Sequence, residues 1–291
     1  MKTLTDEIIS ERQKMAIADK ERDKGIDLNP IGIVQKRNLI YGQYQQHCDI
    51  YYPDNQCEAP IIINIHGGGW FYGDKQLYRP YCLQLAKEGF IVVNFDYRLA
   101  PEYPFPAALD DVDELFHWVG TWRRNQSVFI IGDSAGASIA LQYVTIQQNT
   151  SFRNLFPYSK LSYPISKVIL YCGIYFLEHS FTINEGKLKT LRHAYLPDEI
   201  WKKNRYQLRP EQYITRDFPP LMLITGSDDF LREDTMRLHE YLNQRGIEHV
   251  MKEYHDESDR MGHVFELDQR KKQFLSILHE ATSFLKTNNF K

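Results

Sequence analysis

One pentapeptide constrains this chain more than any other. Gly132-Asp133-Ser134-Ala135-Gly136 directly follows the β-rich run Ser127 to Ile131 and directly precedes a helical pattern, Ser134 to Gln147. A strand that turns into a helix within so few residues needs a corner free of bulk, and the flanking glycines supply it. The serine hydroxyl then stands above the sheet at a helix N-terminus. Such a corner joins a strand to the helix that follows it, the unit that recurs in alternating α/β chains.

The rest of the sequence keeps that rhythm. Val34 to Tyr41, Cys48 to Tyr52, Ile61 to Ile65, Phe90 to Phe95, Ser127 to Ile131, Lys167 to Cys172, Leu221 to Thr225 and His249 to Tyr254 read as strands. Helical periodicity falls at Tyr78 to Lys87, Ala107 to Trp122, Ser134 to Gln147, Glu233 to Gln244 and about Leu267 to Leu285. This order predicts the α/β class, with about eight strands in a mostly parallel sheet and helices on both faces. About six residues join the first two strands, too few for a parallel crossover, so they should form an antiparallel hairpin and make the sheet mixed at that edge.

No repeat, low-complexity tract or long linker divides the chain, so residues 1–291 read as a single domain. Residues 1–30 form an N-terminal helical segment, with Leu4, Ile8 and Met15 on one face. Residues 175–217 interrupt the rhythm with a long irregular insertion, expected at the strand ends where ligands bind, as a cap or lid. Its Tyr175, Phe176, Phe181, Tyr195 and Trp201 could wall a pocket or form the core of the cap.

The second chemical motif is His66-Gly67-Gly68-Gly69-Trp70, at the end of the strand Ile61 to Ile65. Three consecutive glycines leave backbone N–H groups unshielded and able to meet an oxygen that gains negative charge, with the N–H of Ala135 as a further donor. A phosphate-cradling reading would need a following GK[ST] or a G-x-G-x-x-G spacing, and neither is present. His66 belongs to this loop and is read as bracing it.

A serine hydroxyl needs a base to take its proton and a carboxylate to orient that base. Asp228 and Asp229 follow the strand Leu221 to Thr225; His263, with His255 as its rival, lies in the loop after the strand His249 to Tyr254. Position alone divides the two aspartates evenly.

Charge and composition exclude other classes. With 35 Lys+Arg against 38 Asp+Glu the net charge is −3, so nucleic acid and anionic membranes are not expected partners. Apolar runs are too short for a membrane span and the N-terminus lacks a signal-peptide core. Cys48, Cys57, Cys82 and Cys172 show no CxxC spacing, which favours reduced thiols in the cytoplasm over disulfides or a zinc site. Asn125 and Asn149 begin Asn-x-Ser triplets, read as coincidental in that compartment.

The combination HGGGW (66–70), DYRLAPE (96–102), GDSAG (132–136), DDFLRED (228–234) and GHVF (262–265) closely resembles the hormone-sensitive-lipase-like esterases of the α/β-hydrolase superfamily, from roughly Leu39 onward. The resemblance implies one α/β-hydrolase domain with a small helical cap. It implies Ser134 as nucleophile, Asp229 rather than Asp228 as the acid and His263 as the base. Gly68, Gly69 and Ala135 would form the oxyanion hole, while Asp96, Tyr97 and Arg98 brace the site. The implied activity is hydrolysis of small short-acyl carboxylic esters through an acyl-enzyme, with no cofactor or metal required. An amidohydrolase such as an aryl-formamide hydrolase and a non-catalytic small-molecule receptor of the same fold are the alternatives. Relatives often pair through the sheet edge or cap, so a homodimer is a further expectation.

Overall fold

A computed structural model describes residues 4–56, 58–182 and 186–287; Cys57 and parts of the N-terminal and inserted segments lie outside the described residues. Eight strands form one sheet: β1 (Ile33–Ile40), β2 (His47–Pro53), β3 (Ile61–Ile65), β4 (Ile91–Phe95), β5 (Val128–Asp133), β6 (Ile165–Tyr171), β7 (Leu221–Gly226) and β8 (His249–Tyr254). Their order across the sheet is β1-β2-β4-β3-β5-β6-β7-β8. As expected, β1 and β2 pair antiparallel, β2 joins β4 antiparallel, and the remaining pairs are parallel. The central strands β3, β4 and β5 are buried along their whole length, which is why they read as continuous apolar runs.

The helices are α1 (Leu4–Arg22), α2 (Lys75–Lys87), α3 (Ala107–Trp122), α4 (Ala135–Gln148), α5 (Thr150–Arg153), α6 (Leu177–Ser180), α7 (Gly186–Tyr195), α8 (Asp198–Lys203), α9 (Arg232–Gln244) and α10 (Phe274–Lys286). Alternate strand residues feed two cores. Ile61, Ile63, Ile65 and Val93 pack with α3, α4, α9 and the inserted segment on one face, while Ile62, Val92, Phe129 and Ile131 pack with α2 and α10 on the other.

Several boundaries differ from the sequence reading. α2 begins three residues early because the Asp74 carboxylate accepts the N–H groups of Gln76 and Leu77, an N-cap ahead of the apolar repeat. The closing helix begins at Phe274 rather than near Leu267, because the Asp268 carboxylate takes the Arg270 N–H and makes a turn there. The insertion is also more ordered than expected, since α6, α7, α8 and two 3-10 turns occupy it.

The chain passes from β3 outward to β4 and returns to β5 on the other side of β3. The carboxyl ends of β3 and β5 therefore meet where the winding direction reverses, the place at which open α/β sheets bind ligands. The glycine loop leaves β3 there, and Ser134 leaves β5.

Candidate active site

The corner after β5 is as tight as the pentapeptide implied. Ser134 sits at φ +50°, in the left-handed region that L-residues with side chains rarely occupy. A methyl group on Gly136 would fall 2.0 Å from the Ile65 carbonyl oxygen, so only glycine lets α4 approach β3 this closely. Trp70, Cys172 and Val264 also hold positive φ, placing four of the six such non-glycine residues among those described around one site. Backbone strain of this kind costs about 1–3 kcal/mol per residue and persists where the surroundings enforce it.

His263, on the loop after β8, brings its Nε2 to 2.9 Å from Ser134 Oγ, and its Nδ1 to 2.7 Å from Asp229 Oδ1. Burial opposes ionisation of Asp229, yet the hydrogen bond and charge of His263 and the N–H of Leu231 together hold its carboxyl below the usual carboxylate range. An ionised carboxylate can only accept, so the imidazole Nδ1–H donates to it and Nε2 is left to accept the serine hydroxyl. Thr225 donates its hydroxyl to the other carboxylate oxygen at 3.2 Å. The rivals lie elsewhere: Asp228 faces Arg260 at 3.5 Å, and the His255 ring is paired with Ser227 on the exposed side.

The glycine loop is held from below. Tyr97 stacks on His66 with centroids 4.0 Å apart and donates its hydroxyl to the His66 carbonyl at 2.9 Å. Burial pushes the His66 imidazole down to about 4, so it is neutral and donates Nδ1–H to the Gly67 carbonyl. The Tyr78 hydroxyl accepts the Gly67 N–H at 2.8 Å and donates to Asp133 Oδ2 at 2.7 Å. By contrast, the N–H groups of Gly68, Gly69 and Ala135 have no acceptor among the described residues. Three amides in the cavity floor and corner beside Ser134 are thus without an acceptor among the described residues, while their neighbours are pinned.

Two buried acids under the site escaped the sequence reading as functional groups. Burial raises Asp133 to about 6 despite its Tyr78 bond, and raises Glu266 far above its usual range. Both Glu266 oxygens lack a partner among the described residues, which fits a neutral carboxylic acid. Asp133 was visible inside GDSAG; Glu266, two residues beyond Val264, carried no signal distinguishing it from a surface acid. Asp96 accepts the Lys75 N–H at 2.7 Å, and Arg98 pairs with Asp111 at 2.7 Å, so the segment expected to brace the loop is itself anchored.

Cys172, Asp229 and His263 bring potential metal-ligand atoms within 4.8 Å of one another, the one such group among the described residues. Asp229 and His263 already bond each other, and burial keeps the Cys172 thiol protonated, so this chemistry favours hydrogen bonding over ligation.

A cavity of about 690 Å³ opens above Ser134 and His263. Its floor is the glycine loop; its apolar side comes from Phe71, Leu77, Val264 and Leu267; its outer wall is formed by Glu7, Glu11, Lys14 and Met15 of α1 and by Lys189 and Leu191 of α7. The five aromatic residues singled out in the insertion do not line it. Tyr175, Phe181 and Tyr195 are buried, with Tyr195 stacked on Trp70 at 4.6 Å, and Phe176 and Trp201 pack against the same core.

Strand order and the tight serine corner together define an α/β protein of the hydrolase fold type, with Ser134 at the sheet's topological switch. A family model described as the alpha/beta hydrolase fold matches residues 62–267, and the chain belongs to that family. Its relatives fit the hormone-sensitive-lipase-like esterases within the superfamily. It is 41% identical over 100 residues to Esterase LipI of Mycobacterium tuberculosis, a stretch covering 31% of each chain. It is 38% identical over 94 residues to Carboxylesterase 20 of Arabidopsis thaliana, covering 28% of this chain and 29% of that one. These alignments therefore span less than a third of the curated relatives. Among solved structures, esterase B from Lactobacillus rhamnosis superposes with a TM-score of 0.86 at 25% identity, covering 97% of this chain and 94% of that one. An esterase of Pyrobaculum calidifontis gives 0.76 at 21% identity, covering 96% and 93%.

Proposed function

We propose that this chain is a serine carboxylic ester hydrolase acting on small, short-acyl esters through an acyl-enzyme. The observation that carries this reading is the continuous hydrogen-bonded line from Ser134 Oγ through His263 to Asp229, beside three unpaired amides. Ser134 attacks the ester carbonyl as its proton passes to His263 Nε2. Asp229 holds the imidazole in the tautomer that can accept and stabilises the imidazolium that forms. Charge gathers on the carbonyl oxygen, which the N–H groups of Gly68, Gly69 and Ala135 receive. The imidazolium then protonates the departing alcohol, and water attacks the acyl-enzyme by the same path in reverse.

The names of the relatives support the ester as substrate, and the bounded cavity under α1 and α7 supports a short acyl chain. No helix among the described residues is long and apolar enough to cross a membrane. Cys48, Cys82 and Cys172 are free and buried, which supports the reducing cytoplasmic setting. Pairing into a homodimer rests on the family resemblance alone.

The test is hydrolysis of p-nitrophenyl acetate, butyrate, octanoate and palmitate by the wild type and by Ser134→Ala. The expected result is turnover that falls with chain length and drops by about 10³-fold or more in the variant. Equal turnover in wild type and variant would remove Ser134 from the mechanism, and faster cleavage of formamides than of esters would make the protein an amidohydrolase.

A further inference from the structure

The three residues after the free glycines, Trp70-Phe71-Tyr72, are gripped by the cap. Tyr195 stacks on Trp70, and Asp19 of α1 accepts the Tyr72 hydroxyl at 2.8 Å. The strongest grip is Arg12 of α1. Its Nε donates to the Phe71 carbonyl at 2.7 Å and its Nη2 to the Ala100 carbonyl at 2.9 Å, while Glu102 accepts from Nη1 at 3.2 Å and Nη2 at 2.9 Å. A guanidinium presents its N–H groups in one rigid plane, so Glu102 and Ala100 fix the direction in which Nε holds Phe71.

That direction reaches the catalytic amides through the backbone. The N–H groups of Phe71 and Tyr72 donate to the Gly68 carbonyl at 3.3 and 2.9 Å. A trans peptide is planar, so the Gly69 N–H points opposite to the Gly68 carbonyl. Fixing Phe71 therefore fixes the peptide whose other end is the free Gly69 N–H. We propose that Arg12 is a positioning residue for the oxyanion loop, through which docking of α1 sets the turnover rate rather than the affinity for substrate. This inference rests on the ester-hydrolase reading of Ser134.

The placement of Arg12 on its helix separates the two effects. Glu7, Glu11 and Lys14 form a stripe facing the cavity, whereas Arg12 is not among the residues lining it and shares the docking side with buried Ile8. A side chain that touches no substrate but holds an oxyanion donor should act on kcat.

The experiment compares the wild type with Arg12→Ala, Arg12→Lys, Glu102→Gln and Glu11→Ala on p-nitrophenyl acetate, an ester too small to span the cavity. Complete loss of an oxyanion donor costs about 10²- to 10³-fold, so a donor that stays in place but loses its clamp should cost less than that. Arg12→Ala is expected to lower kcat by about 10-fold with KM changed less than about twofold. Arg12→Lys, with one compact donor group, should fall between, and added guanidinium at millimolar concentration should restore part of the Arg12→Ala rate. Glu11→Ala, assayed on the longer p-nitrophenyl octanoate, should move KM instead. A folded Arg12→Ala protein with unchanged kcat, or with its loss confined to KM, overturns the inference. If Arg12→Ala does not fold, unchanged kcat in both Arg12→Lys and Glu102→Gln overturns it equally. Ser134→Ala is run alongside: if it keeps full turnover the ester-hydrolase reading itself fails, whereas its inactivity beside an unaffected Arg12 series refutes only the clamp.

Discussion

The floor and the outer wall of the cavity are held together by different physics. The floor stands on the carboxyl ends of buried parallel strands, and each group in it is fixed by short directional bonds: Ser134 to His263, His263 to Asp229, Gly67 to Tyr78. The wall is two helices laid across the loops, docked by Ile8, by the Arg12 clamp and by the stack of Tyr195 on Trp70. A bond network of the first kind should fail abruptly when one member is lost. A docked helix should change its properties by degrees, turnover by about 10-fold through the Arg12 clamp and specificity and stability elsewhere. Mutations on either side test that division.

The largest effect is expected at the floor. Asp229→Asn keeps the size and an acceptor oxygen but no longer forces Nδ1 to carry the proton, so His263 can take the tautomer that cannot receive the serine proton. The expected loss in kcat is about 10³- to 10⁴-fold at neutral pH, measured on p-nitrophenyl acetate. The stability consequence has a defined sign. The folded carboxyl titrates below its unfolded value, so its contribution is present above the unfolded pKa and disappears as pH falls through the folded one. The gap in melting temperature between wild type and Asp229→Asn should therefore narrow on acidification. A gap that widens would mean that Asp229 is not stabilised as the anion, and a mild kcat loss would break the contrast between floor and wall.

A graded effect is expected at the wall. Leu191 lines the cavity, and its Cδ2 lies 2.4 Å from where a side chain on Gly69 would begin, so it closes the space over the glycine loop. Leu191→Ala opens that space without touching Ser134, His263 or Asp229. The ratio of octanoate to acetate kcat/KM should rise by about 10-fold or more, since one methylene accommodated in an apolar pocket is worth about 1–3 kcal/mol. An unchanged ratio with a fallen kcat would place Leu191 with the floor.

The same division explains what the sequence disclosed. The floor was legible because its parts are local: three glycines after an apolar strand, a serine between small residues, and a histidine following the last strand each need few neighbours to be interpreted. Even there, Asp228 and Asp229 were inseparable by position, because the turn after β7 decides which carboxylate faces inward and which meets Arg260. The wall was legible only in outline, as an N-terminal helix and an inserted cap or lid, with none of its lining residues assigned. The stripe Glu7, Glu11, Lys14 on α1 has the spacing of an ordinary solvated face, and nothing local says that a cavity lies under it. For the aromatic residues of the insertion the sequence left pocket wall and core equally open, and the structure packs them into the core.

Tyr195 offers the finest test of how the wall is docked. It is 1% exposed, its ring lies 8° from parallel with Trp70 and meets Phe105 edge-on at 5.8 Å, and its carbonyl accepts the Phe105 N–H at 3.0 Å. Its hydroxyl, however, has no partner among the described residues. Burying a hydroxyl unpaired costs about 1–3 kcal/mol, whereas every ring contact survives its removal. Tyr195→Phe is therefore expected to stabilise the protein by about 1 kcal/mol, a rise of a few degrees in melting temperature, with kcat unchanged. Tyr195→Ala deletes the stack and should cost about 3–5 kcal/mol instead. If Tyr195→Phe destabilises, the hydroxyl is bonded in solution, through a buried water, and the docking of the cap is partly polar. If it stabilises and leaves kcat alone, the ring by itself holds Trp70, and the part of the wall that reaches the glycine loop from the α7 side acts by shape rather than by a directed bond, in contrast to Arg12 on the α1 side.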